Sequence, residues 1–349
     1  MRTQRLVAAA FAAMLPLAAA AARGEPPRLF DGEEPLEIEL EADWDPIRRD
    51  DSPKPAQHPG VLTYQGPDGP VRIPLRVAAS GRSRRTQDIC ELPPLRLDLP
   101  KRERKGTLFR GIGELKLTTH CRHTTKYEQY VVLEYLAYRA YAALTDWSHR
   151  VRLLRVTYRE PGGGPRWQRL AFAIEDASDL AKRVGATRVR ESAVARASLD
   201  DAAASRAELF FYMVGMTDFS LIRRLGGPCC HNVRALRRGD GRVVPVPYDF
   251  DQTGVVNPEY AAPNARLGIR FVTQRKFRGQ CRAQPTVDAT LALLREKRAA
   301  VRALFESQRE LSARSRQRAL AYLASFDRWA DDPAAVAKTL SAECAQVAR

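Results

Sequence analysis

Val243-Val244-Pro245-Val246-Pro247-Tyr248-Asp249-Phe250-Asp251 is the stretch on which the reading of the fold turns. Apolar residues run up to it and stop at two carboxylates two positions apart. On an extended segment, residues i and i+2 share a side. The pattern therefore predicts a strand that ends by presenting Asp249 and Asp251 together. Such a pair suits Mg²⁺ or Mn²⁺, which take carboxylate oxygens and keep positions open for phosphate. The plainer reading is a strand that runs out into a solvated acidic turn. Order along the chain weighs against it, because Asp218 and then His231-Asn232 precede the pair.

Upstream, residues 232–236 and 242–246 read as a hairpin around Arg238-Gly239-Asp240-Gly241. A helix over 200–214 ends at Gly215 and hands over to a loop carrying Asp218. Downstream, 257–285 shows little periodicity, and 287–308, 312–326 and 333–347 read as three helices. The first half of the chain is different. Alternation predicts strands at 36–41, 95–99 and 113–117, with a hairpin of 61–64 and 71–77 about Gly66-Pro67-Asp68-Gly69. Residues 43–60 read as a loop. Ser80-Gly81-Arg82-Ser83-Arg84-Arg85 is a small-residue turn with three arginines, suited to phosphate or to solvent. An amphipathic helix is expected over 127–144, strands over 151–158 and 167–174, and a short helix over 177–183. The expected fold class is α+β with two lobes. Residues 28–175 would form a sheet-rich lobe with one main helix. Residues 176–347 would form a helical lobe with the acidic motif, the seam lying near Glu175-Asp176.

The chain has 349 residues, 44% hydrophobic, a net charge of +16 and six cysteines. Arg2 and Arg5, an alanine-rich apolar run over 6–22 and the break at Arg23-Gly24-Glu25-Pro26 read as a Sec-type signal peptide over 1–22. No later segment is long and apolar enough for a transmembrane helix. The expected location is periplasmic, where Cys90, Cys121, Cys229, Cys230, Cys281 and Cys344 would form disulfides. Sequence leaves fifteen pairings open; the pairing expected is Cys90 with Cys121, and Cys229 or Cys230 with Cys281. His120-Cys121-Arg122-His123 and Cys229-Cys230-His231 lack the paired spacing of structural zinc sites. The arginines are spread along the whole chain without an aromatic–basic signature, so nucleic acid is not expected as a partner. Nucleotide phosphates, anionic headgroups or acidic proteins fit the charge better.

This order of elements resembles the spore-coat CotH-type atypical protein kinases, and more narrowly a group of unassigned exported bacterial proteins. Ser80-Gly81-Arg82-Ser83-Arg84-Arg85 is similar to that family's Gly/Ser/Arg-rich turn, and Glu114-Leu115-Lys116-Leu117 with the following helix to its strand and helix. Phe172-Ala173-Ile174-Glu175-Asp176 resembles its lobe-joining segment. Gly215-Met216-Thr217-Asp218-Phe219, His231-Asn232-Val233 and the opening motif resemble its catalytic-loop aspartate, its Asn strand and its Asp-x-Asp. No G-x-G-x-x-G or Val-Ala-Ile-Lys strand of ordinary kinases is present.

The resemblance implies a kinase-like two-lobed fold and an exported phosphotransferase that uses Mg- or Mn-ATP on the hydroxyl of an unknown protein or small molecule. It implies that Asn232, Asp249 and Asp251 hold the metal. Asp218 would act on the acceptor hydroxyl. Lys116, preferred over Arg96 and paired with Glu134, would grip the α- and β-phosphates beside Glu175. The alternative is the same scaffold without turnover, serving as a binding or assembly protein of the envelope. A carboxylate-based metal hydrolase and an arginine-rich nucleic-acid or lipid binder stand behind these.

Overall fold

The computed structural model describes residues 28–164, 166–224 and 227–344; the expected signal peptide lies outside them. Seven strands form a closed mixed barrel: β1 (Leu36–Ala42), β2 (His58–Gly66), β3 (Gly69–Ala79), β4 (Leu95–Asp98), β5 (Glu114–Thr118), β6 (Val151–Arg159) and β7 (Arg166–Ile174). The order around it is β1-β2-β3-β4-β5-β7-β6. Neighbours are antiparallel except at the closure, where β1 runs parallel to β6 with Leu36 opposite Leu154 and Glu41 opposite Arg159. Alternation along each strand sends one set of side chains inward. Ile38, Leu40, Leu62, Ile73, Leu97 and Val156 fill the interior. A short helix, α1 (Trp44–Arg49), lies in the stretch expected to be a loop. Its Trp44 packs edge-on against Tyr158 and donates its indole N–H to the Arg159 carbonyl at 2.9 Å. Trp44 and Ile47, three apart on one helical face, are both buried.

This closure overturns the expected kinase-like two-lobed fold. The sheet read in the first half does form, but its first and sixth strands pair, so it is a barrel with no open edge. The long helix α2 (Thr125–Ala142) also differs from its amphipathic reading. From Tyr130 to Tyr141 only Arg139 escapes burial, because α2 lies between β6 and β7 on one side and a C-terminal helix on the other. The rest of the described chain is α3 (Ala177–Arg183), β8 (Thr187–Arg188), α4 (Asp201–Val214), β9 (Val233–Arg237), β10 (Val243–Pro247), α5 (Gln284–Ser307), α6 (Ala313–Ala330) and α7 (Pro333–Glu343). β10, β9 and β8 make a separate three-stranded antiparallel sheet. Gly215 ends α4 in a left-handed turn at φ 73°, and its N–H closes on the Tyr212 carbonyl at 3.3 Å. Among the described residues no helix is long and apolar enough to cross a membrane.

All six cysteines are bonded, which accords with an oxidising compartment. Cys90–Cys121 forms as expected. Cys281 does not bond to either cysteine of the adjacent pair. Cys229 and Cys230 bond to each other, and Cys281 bonds to Cys344 after α7. Four of these sulfurs lie in the zinc-like clusters or beside them, so no thiolate is left there for zinc.

Candidate functional site

The barrel and the small sheet meet around a cleft of about 560 Å³. Register places part of its wall. Lys116 on β5 lies opposite Arg96 on β4 and Ile174 on β7, so the three form a row across neighbouring strands. β7 then leaves the barrel through Glu175-Asp176, which also line the cleft. The facing residues come from β9 and from the segments beside it, including Asp218, His231, Asn232 and Arg234.

Asp249 and Asp251 lie past the end of β10, in a turn and not on the extended strand expected for them. Asp249 has φ 65° and Asn232 has φ 51°. That left-handed region is one Asp and Asn reach more readily than most side chains. Two hydrogen bonds fix the turn: the Asp249 N–H donates to the Tyr138 hydroxyl at 2.8 Å, and the Tyr248 N–H to the Asn232 carbonyl at 3.0 Å. The carboxylates therefore converge through the turn, and what they converge on is Arg84.

Arg84 is buried, and its guanidinium is shared by three acids. Nε lies 3.3 Å from Asp251, Nη2 3.6 Å from Asp249 and Nη1 3.4 Å from Glu134. Glu134 is thus paired with Arg84, not with Lys116 as expected, and it sits beneath the cleft without lining it. One cation cannot fully compensate three carboxylates, of which Glu134 and Asp251 are buried. Burial pushes Glu134 up to about 8 despite Arg84, and burial raises Asp251 as well. Burial would raise Asp249 too, but Lys116 and Arg84 outweigh it and hold this carboxyl below its ordinary value. Lys116 lies 3.9 Å from Asp249, donates to the Tyr248 hydroxyl and sits 4.5 Å from the centre of that ring. Burial works against its charge; Tyr248 and Asp249 more than restore it.

The remaining expected residues divide. The Asp218 side chain is 66% exposed, with Oδ2 2.9 Å from His231 Nε2, and the Asn232 side-chain amide donates to the Asp218 carbonyl at 2.7 Å. Asp218, His231 and Asn232 are thereby one hydrogen-bonded unit at the cleft. Arg96 lines the cleft with its Nε 3.8 Å from Glu114. Glu175 lines it too, but its carboxylate is occupied: Arg183 donates to both oxygens at 2.9 and 2.7 Å, and the Arg150 N–H at 3.0 Å. Glu175 holds the segment after β7 in place. Reading the sequence missed Arg84 as the hub and missed Arg234, whose guanidinium lies 3.8 Å over the Tyr248 ring. The three arginines of 80–85 were a visible signal, though not of which one turns inward.

A divalent ion can be tested against the donor set. Among the described residues no three His, Cys, Asp or Glu side chains form a metal cluster. Mg²⁺ needs fewer, since one or two carboxylates with substrate phosphates are its usual protein site. Asp249 Oδ1 is buried and receives no hydrogen bond, an acceptor without a donor at the edge of the cleft. Asp249 and Asp251, with Asn232 beside them, therefore fit a phosphate-borne ion. The chain matches no protein-family model and no curated protein.

Proposed function

We propose that this cleft binds a nucleotide with Mg²⁺ or Mn²⁺ and transfers its terminal phosphoryl group to an acceptor hydroxyl, in the periplasm. The observation that carries the reading is the convergence on one cleft of every residue singled out for this chemistry except Glu134. The open Asp249 Oδ1 lies between two cations there. Phosphoryl transfer asks mainly for positioning and charge neutralisation. Asp249, Asp251 and Asn232 hold the ion, which when bound supplies charge compensation on the phosphate oxygens. Lys116 binds phosphate and is kept cationic by Asp249. Asp218, oriented by Asn232 and His231, accepts the acceptor's hydroxyl proton as the new P–O bond forms and the nucleoside diphosphate leaves.

A second reading has its own support. Arg84 and Lys116 already neutralise the carboxylate pair, an arrangement that binds an anion with no metal and no turnover. Thermal-shift titration with ATP, with and without Mg²⁺ or Mn²⁺, separates the two. A ligand at 100 times its Kd adds about 2.7 kcal/mol of stability. A shift that needs the metal and vanishes in Asp249→Ala supports phosphotransfer. A shift indifferent to metal leaves anion binding, and no shift with any nucleotide overturns phosphotransfer.

A further inference from the structure

The cleft gathers arginines that its carboxylates do not pair directly, and they lie together. Arg84 is shared by Asp249, Asp251 and Glu134, Lys116 faces Asp249, and Arg96 faces Glu114. Arg82, Arg224 and Arg234 line the same cleft and make no direct ion pair among the described residues, Asp249 acting on Arg224 and Arg234 only from further off. They come from three separate segments: the turn after β3, the loop before the Cys229–Cys230 bond, and β9. Arg224 lies close enough to Arg234 and Arg82 to feel both; burial first, then these two like charges, pull its pKa down. Its Nε is buried and makes no hydrogen bond. Arg234 is held over the Tyr248 ring, which keeps its donors at this wall of the cleft. Like charges brought together around an unused buried donor are costly unless an anion completes them. The guanidinium fork matches phosphate oxygens in pairs.

We propose that Arg82, Arg224 and Arg234 form a phosphate-binding subsite that works without a metal ion. It takes a phosphate group, whether on the nucleotide's tail or on a phosphorylated acceptor. The source of that phosphate, but not the subsite itself, rests on the phosphotransferase reading.

The test is titration calorimetry of the full, disulfide-bonded chain with pyrophosphate in EDTA, at two salt concentrations. Arg224→Gln and Arg82→Gln are compared with the wild type and with Arg266→Gln, an exposed arginine outside the cleft. Saturable binding is expected, weakened about tenfold or more in the two cleft variants and unchanged in Arg266→Gln. Circular dichroism checks that each variant folds. Absence of pyrophosphate binding overturns the subsite. So does equal weakening in Arg266→Gln, which would mean non-specific attraction to a chain of +16 charge. Glucose 6-phosphate and ATP, titrated separately, tell the two sources apart: loss of ATP affinity alone in Arg224→Gln assigns the subsite to the nucleotide, and loss of the phosphomonoester alone assigns it to the acceptor. Pyrophosphate binding untouched by both cleft variants, with ATP and metal still bound, would leave the phosphotransferase reading standing and remove this one; pyrophosphate binding without any effect of ATP and metal would do the reverse.

Discussion

Replacing Arg84 with methionine should expose how the site is held together. The substitution keeps an unbranched side chain of similar reach and removes the one cation shared by Glu134, Asp249 and Asp251. Glu134 is 2% exposed and Asp251 6%, so neither carboxylate can turn to water. Breaking a buried ion pair by deleting one partner costs about 3–5 kcal/mol. Glu134 already sits at about 8 and can take up a proton as relief, which argues for the lower end near neutral pH. Unfolding entropy of about 2.1 cal/mol/K per residue, over about 320 ordered residues, is about 0.67 kcal/mol/K. The loss therefore reads as a fall in Tm of about 4–7 °C. Without Arg84 the folded-state pKa values of Glu134 and Asp251 rise further above their unfolded values. The stability tied to their protonated forms is complete below pH 4 and is lost as pH climbs through the raised values. The gap between variant and wild type should thus be wide at pH 8 and narrow at pH 5. Glu134→Gln added to the variant should recover part of the loss at pH 8. Denaturation followed by circular dichroism at the two pH values is the assay. A gap under about 1 kcal/mol at pH 8, or one that does not change with pH, would refute the view of Arg84 as an electrostatic hub.

Two further expectations follow, one from a buried histidine and one from a disulfide. His149 is held neutral: burial pulls its pKa down to about 3, although its Nδ1 lies 2.8 Å from the Glu175 carbonyl. A depressed pKa means stability that is present above about 6.5 and lost as pH falls towards 3, about 2 kcal/mol of it by pH 5. His149→Asn should lose less stability than the wild type between pH 8 and pH 5, by about that amount; equal losses would mean that His149 does not titrate as described. The Cys281–Cys344 bond closes a loop 63 residues long, worth about 4 kcal/mol in the chain-entropy account. The double alanine variant should unfold at correspondingly lower urea, and unchanged stability would show that α7 docks without the link.

Local patterns in the sequence were readable because they are short-range. Strict alternation in β1 and the Gly66 to Gly69 turn need only near neighbours to be recognised, and both are where they were expected. The closure was not readable in that way. Leu36 meets Leu154 across most of the barrel sequence, and nothing in either strand's own pattern distinguishes a barrel partner from an edge. The helix at Trp44 was hidden by Pro46 and its charges, although Trp44 and Ile47 already show helical spacing. The same limit applies to the arginine turn. Arg84 goes inward to three acids, Arg82 faces the cleft, and Arg85 donates to the Ser52 carbonyl. Those destinations are set by α2, by the turn after β10 and, for Arg85, by the segment before β2, so the turn alone could signal only positive charge.

The kinase-like expectation fails at the level of the fold, yet the residues it drew attention to still meet. That outcome is coherent, because function belongs to a site and the same site chemistry recurs on unrelated scaffolds. Asp218, Asn232 and Asp249 are joined by short-range links: the Asn232 amide to the Asp218 carbonyl, and the Asn232 carbonyl to the Tyr248 N–H. Sequence order along this hairpin is enough to bring them together whatever the far end of the barrel does. Lys116 is different, because it reaches them only through β5's place beside β7. A barrel that opened between β5 and β7 would keep the acids in register with one another and lose the lysine. The acidic half of the site is therefore laid out along a local segment and pinned by Tyr138 and Arg84, whereas Lys116 is placed by the closed barrel.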